Sequence, residues 1–120
     1  MTLLLRVFAW LLAAAVAFVT LGPPWLRPQS SLSQDAEHAL AFIVLGLAFG
    51  AAYNRHRLLA AAIGIFGIGA IELLQFWAPG RHARVEDFVV DAAAACGGLV
   101  LAAILDWALQ RSRRSSVNAA

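Results

Sequence analysis

The sequence predicts an all-α fold, a four-helix transmembrane bundle with both termini in the cytoplasm. Three observations predict it. The 120 residues are 62% hydrophobic and only 13% charged, with mean hydropathy +0.76, and a soluble domain of this size needs more charge to cover its surface. The apolar residues gather in four segments, about 7–21, 39–53, 58–77 and 88–107, each close to the ~20 residues that cross a hydrocarbon core. Arginine is distributed unevenly among the connecting stretches. Alternating strand patterns of the β-barrel kind are absent.

The first segment, Val7–Leu21, follows Arg6 and has small residues at Ala15-Val16-Ala17, as a signal peptide would. It stays apolar to Leu21 and then breaks at Gly22-Pro23-Pro24. That pattern suits a retained helix ending at an interface better than a processing site. Ser30, Ser31 and Ser33 compose a linker. The second segment, Ala39–Tyr53, is opened by Glu37 and His38 and followed by Arg55 and Arg57. These first two spans are short and need their polar flanks at the interfaces. The third, Leu58–Trp77, carries Glu72 and Gln75 before a Pro79-Gly80-Arg81 turn. The fourth, Phe88–Trp107, has Asp87 at its start, Asp91 one turn in, and a basic tail over 108–120. The whole chain reads as a single membrane domain. No room remains for a soluble catalytic or binding domain, so the protein acts within or at the edge of the membrane.

With four spans, Arg6, Arg55, Arg57, Arg111, Arg113 and Arg114 share one side. The other side holds Arg27, Arg81 and Arg84, together with Asp35, Glu37, Glu86 and Asp87. The positive-inside rule places the first group, and both termini, in the cytoplasm. Trp25 and Trp77 then fall at the outer interface, and Trp10 and Trp107 toward the inner one, where amphipathic rings settle. The Pro-Gly-Arg turn faces outward.

Polar residues converge on that outer side. Glu72 and Gln75, three apart, share a helix face, as do Asp87 and Asp91, four apart. Arg81 and Arg84 sit in the turn between them, and His38 opens the second helix. A charge inside a bilayer costs at least ~2.5–3.5 kcal/mol, so such groups have partners or a role. For Asp87 the bland reading is an acidic residue favoured at a helix N-terminus. For Asp91 it is an ion pair with Arg81 or Arg84. His38 is either an interfacial histidine or the partner of Glu72 or Asp91. Small residues at Gly46, Gly50, Gly64, Gly67, Ala94, Ala95 and Gly98 would let spans two, three and four approach closely, polar groups turned inward.

Other chemistries find little support. The lone Cys96 allows no intrachain disulfide and reads as a small buried apolar residue. No HExxH or similarly tight ligand spacing is present, so neither a metal nor a cofactor is expected. No nucleophile stands in evident reach of His38. All nine basic residues are arginine; they bear on topology and anionic lipid, not on nucleic acid.

The strings Glu37-His38-Ala-Leu-Ala-Phe-x-x-Leu-Gly46, Glu72-x-x-Gln75-x-x-x-Pro79-Gly80-Arg81 and Asp87-x-x-x-Asp91 resemble the VanZ-like family of small bacterial membrane proteins. The resemblance covers about residues 34–105, and its most specific block is Glu72 to Arg81. Family members often have an Asp-Lys pair where this chain has Gln34 and Asp35, Asn where Asp91 stands, and Gly where Ala94 stands. The resemblance implies the bacterial cytoplasmic (inner) membrane and a connection with resistance to teicoplanin, a lipoglycopeptide acting on the cell wall.

The leading expectation is a binding or accessory protein. Its outer-leaflet pocket of His38, Glu72, Gln75, Arg81, Arg84, Asp87 and Asp91 would engage an anionic amphiphile: a lipid headgroup, a lipid-linked wall precursor or a lipoglycopeptide. Arginine forks suit phosphate or carboxylate. Membrane lipids are thus the expected partners. The alternatives are a small intramembrane enzyme using His38, Glu72 and Asp87 on a lipid phosphate, and a structural subunit in which the polar groups only hold the bundle together.

Overall fold

The computed structural model describes residues 2–23, 25, 31, 33–77 and 84–118. They form four helices, α1 (Thr2–Leu21), α2 (Gln34–Ala52), α3 (Arg57–Gln75) and α4 (Val85–Asn118), with no strand among the described residues. Each helix is long and apolar enough to cross a membrane. The chain is therefore a multi-pass membrane protein of the expected fold class.

The helix ends differ from the apolar segments for local reasons. α2 starts ahead of its apolar stretch because Ser33, in extended conformation, caps it: its hydroxyl accepts from the Ala36 amide at 3.3 Å. Asp35 and Glu37 then lie in the first turn, where the helix dipole favours acidic groups. α4 continues through residues 108–118, which the hydropathy had assigned to a tail. Neither Gly nor Pro interrupts the chain from Leu99 to Asn118, and the polar residues there are compatible with a helix. Ser115 and Ser116 donate back to the Arg111 and Arg113 carbonyls.

α2 and α4 run parallel and form the closest pair in the bundle. A Cβ placed on Gly46 would overlap the Ala95 carbonyl, and one on Gly98 would overlap the Ile43 carbonyl. One placed on Gly50 would lie 2.6 Å from the Ala102 Cβ. Backbone thus meets backbone along this seam, the packing by which helices associate in lipid, where no hydrophobic force drives them together.

α1 and α3 run antiparallel to this pair. On α1, the Trp10 ring meets Phe49 edge-on at 5.3 Å between centroids, and its indole N–H donates to the Tyr53 hydroxyl at 3.0 Å. α3 contributes Ile68 to a core with Phe42 and Ala95, against which Val16, Leu45 and Phe88 pack. At Gly64 and Gly67 α3 stands off. Gly64 and Gly67, expected to bring α3 close to its neighbours, have nothing within 4 Å of an added Cβ. They line an apolar cleft of about 570 Å³ between α1 and α3, floored by α2 and α4. The close-packed small face belongs to α2 and α4; α3 meets them at the Ile68 layer, at Gly69 against Phe88 and through Arg57.

Candidate functional site

The core triplet sets the position of the polar residues. His38 is one helical turn from Phe42, Glu72 one turn from Ile68, and Asp91 one turn from Ala95. Phe42, Ile68 and Ala95 are packed together, and α3 runs opposite to α2 and α4. Residues one turn away, all toward the same end of the bundle, therefore share the next layer. Three charge-capable side chains on three helices come into one layer by register alone.

For His38 and Asp91 the side chains bear this out. Asp91 is 1% exposed and Glu72 7%, among the most deeply buried residues of the chain. His38 Nδ1 lies 3.6 Å from Asp91 Oδ2, a separation suited to an ion pair but long for a formed hydrogen bond. Gln75, also buried, donates from Nε2 to Glu72 Oε1 at 3.3 Å. The three-residue spacing that puts Glu72 and Gln75 on one face thus makes a direct bond. Of the two partners considered for His38, the described contact is with Asp91. The same contact answers for Asp91, whose alternative was an arginine of the turn.

Asp87 lies one turn before Asp91, half-buried and in the first turn of α4, with no ion pair or side-chain hydrogen bond among the described residues. Arg84 is exposed, and its guanidinium likewise has no partner among the described residues. Arg81 lies outside them, with Pro79 and Gly80. A second cavity, about 480 Å³, opens between α3 and the start of α4. Glu72 and Arg84 both line it, with Phe66, Leu73, Phe76 and Phe88. It is an apolar groove with a carboxylate and a guanidinium on its wall, which do not pair with each other.

At the opposite end, Arg57 donates from Nη2 to Asp106 Oδ2 at 3.1 Å and from Nε to the Gly50 carbonyl at 3.1 Å. The second bond satisfies a carbonyl that the last turn of α2 leaves without a helical partner. Sequence reasoning used Arg57 only for orientation and passed over Asp106. Opposite charges at the start of span three and the end of span four were the available signal. Cys96 is a free thiol of intermediate burial on the wall of the 570 Å³ cleft. Among the described residues no group of three His, Cys, Asp or Glu side chains is placed to hold a metal ion.

No curated protein and no solved structure matches the chain. The family model VanZ/LLP1 matches residues 3–106, a stretch that reaches into all four helices and includes every candidate site residue. On that match the chain belongs to the VanZ/LLP1 family.

Proposed function

We propose that this VanZ-like protein binds an anionic amphiphile at the His38–Asp91 end of the bundle. The headgroup is held at the outer leaflet of a bacterial cytoplasmic membrane and the chain lies between helices. The observation that carries the reading is the groove between α3 and α4. It offers an apolar trough beside Phe66, Phe76 and Phe88, an Arg84 guanidinium that has no partner among the described residues and suits phosphate or carboxylate, and Glu72 on the same wall. A lipid headgroup, a lipid-linked wall precursor and a lipoglycopeptide all combine these features. The last of them fits the link to teicoplanin resistance implied by the family. Glu72, on the groove wall, opposes a bare phosphate, so an amine or sugar donor of the ligand faces it.

The test is a titration of the purified protein with teicoplanin, a lipid-linked wall precursor and phosphatidylglycerol, each in turn. Saturable binding of one of them is expected. Arg84→Ala or Arg81→Ala should weaken it about tenfold, the loss of a charge-assisted pair worth ~1.5 kcal/mol. Arg113→Ala, at the far end of α4, should leave it unchanged. Equal effects of Arg84→Ala and Arg113→Ala would reduce the interaction to general electrostatics and discard the pocket.

The orientation is tested separately. In a Cys96→Ser background, His82→Cys is expected to react with a membrane-impermeant thiol reagent from outside intact cells. Reaction only after the cells are opened would move the site to the cytoplasmic leaflet.

The His38–Asp91 pair favours a second reading, acid–base chemistry on a lipid phosphate, because a carboxylate beside an imidazole orients it for proton transfer. Release of phosphate from such a lipid that disappears in Glu72→Gln would establish the enzyme. Saturable binding without turnover would establish the binding protein.

A further inference from the structure

We infer that the cleft between α1 and α3 holds one acyl chain of an anionic phospholipid, with its headgroup at Arg6 and His56. This end of the bundle is opposite the His38–Asp91 layer, so the inference is independent of the proposed function.

The cleft is almost wholly apolar. Trp10, Ala13 and Ala17 of α1 face Gly64 and Gly67 of α3 across it. Along α3 it extends from His56 to Ile71, roughly 22 Å at 1.5 Å per residue. A single leaflet contributes about half of the ~30 Å hydrocarbon core, so the cleft can take a full lipid chain. The volume of about 570 Å³ admits an extended hydrocarbon chain. In a bilayer the gap cannot stay empty, because its lining would forfeit dispersion contacts.

One end of the cleft is polar, and it is basic. Tyr53 and His56 line the cavity there, and Tyr53 accepts the Trp10 indole hydrogen bond. The Arg6 guanidinium lies 5.0 Å from the centroid of the Tyr53 ring. Arg6 and the exposed Arg55 have no acidic partner among the described residues, whereas Arg57 is committed to Asp106 and the Gly50 carbonyl. Asp106 is the one acidic residue described at this end. Uncompensated cations beside two amphipathic rings, at the mouth of a chain-sized cleft, are complementary to an anionic headgroup.

The test uses the full chain with Trp25→Phe, Trp77→Phe and Trp107→Phe, which leaves Trp10 as the reporter. The protein is reconstituted in phosphatidylcholine vesicles containing lipids brominated on the acyl chain. Brominated phosphatidylglycerol should occupy the site about fivefold more readily than brominated phosphatidylcholine, as read from quenching of Trp10. That ratio corresponds to the ~1 kcal/mol of one arginine near a lipid surface. Gly64→Leu should fill the cleft and lower quenching by both lipids. Gly97→Leu, whose added side chain also meets open space but outside the cleft, should leave quenching unchanged. Arg6→Gln should abolish the headgroup preference. Equal quenching by the two lipids would mean ordinary boundary lipid and overturn the proposal, as would indifference to Gly64→Leu. If circular dichroism shows Gly64→Leu to be unfolded, Arg6→Gln decides alone, and an unchanged preference overturns the proposal.

Discussion

Gly46→Leu is expected to abolish or severely weaken folding, at a cost of about 3 kcal/mol or more. The reason is the identity of the neighbour. Overpacking a core costs ~1–3 kcal/mol when side chains can shift to absorb it. At Gly46 the obstacle is the Ala95 carbonyl, part of the α4 backbone, and it cannot move without separating the two most closely packed helices. Gly98→Leu should behave in the same way, because the Ile43 carbonyl and the Leu47 amide nitrogen stand in its path. Gly64→Ala and Gly67→Ala provide the contrast. Both positions are helical and open, so losing glycine's backbone entropy in the unfolded chain should stabilise by about 0.4–1 kcal/mol. Unfolding in mixed micelles by sodium dodecyl sulfate measures all four. Similar stability of Gly46→Leu and the parent would mean that α2 and α4 are not packed as described.

Asp91→Ala should be the most damaging polar substitution, destabilising by about 3 kcal/mol. Asp91 is buried against the half-buried His38, and truncating it removes the ion-pair partner that the imidazole faces and leaves a cavity between α2 and α4. Asp91→Asn should cost less than about 1 kcal/mol, because the amide oxygen can still accept from the imidazole and no charge need be buried. Asn is also the residue that VanZ-like proteins commonly have here, by the resemblance already drawn. A double-mutant cycle of His38→Ala and Asp91→Ala isolates the pairwise energy. Additive effects would show that the two side chains are neighbours without coupling. The buried Glu72–Gln75 bond supplies a second cycle, with Gln75→Leu expected to leave Glu72 short of a donor and to lower the folding yield.

The amino-acid sequence by itself determined the all-α, four-helix membrane architecture and which polar residues stand within it. Four apolar stretches with no alternation admit only helices in lipid, because every backbone polar group there must be satisfied within its own segment. The cost of charge in a membrane marked His38, Glu72 and Asp91, and the three-residue spacing of Glu72 and Gln75 put them on one helix face, where the structure joins them by a hydrogen bond. The Glu72–Arg81 block and the Glu37–Gly46 string carried the family. Helix ends were less legible, because hydropathy ignores capping: Ser33 starts α2 before its apolar run, and helix-compatible polar residues carry α4 to Asn118. Tertiary structure alone decided how the helices share their small faces. Gly46 and Gly64 look alike in the sequence, each in an apolar helix with another glycine close by, yet one is sealed against Ala95 and the other borders open space. It also decided that His38 pairs with Asp91 and that Arg57 reaches Asp106. The reason is the same in each case. Periodicity assigns a residue to a face of its own helix, but rotation and register between helices are set by contacts among residues far apart in the chain, and no local pattern encodes them.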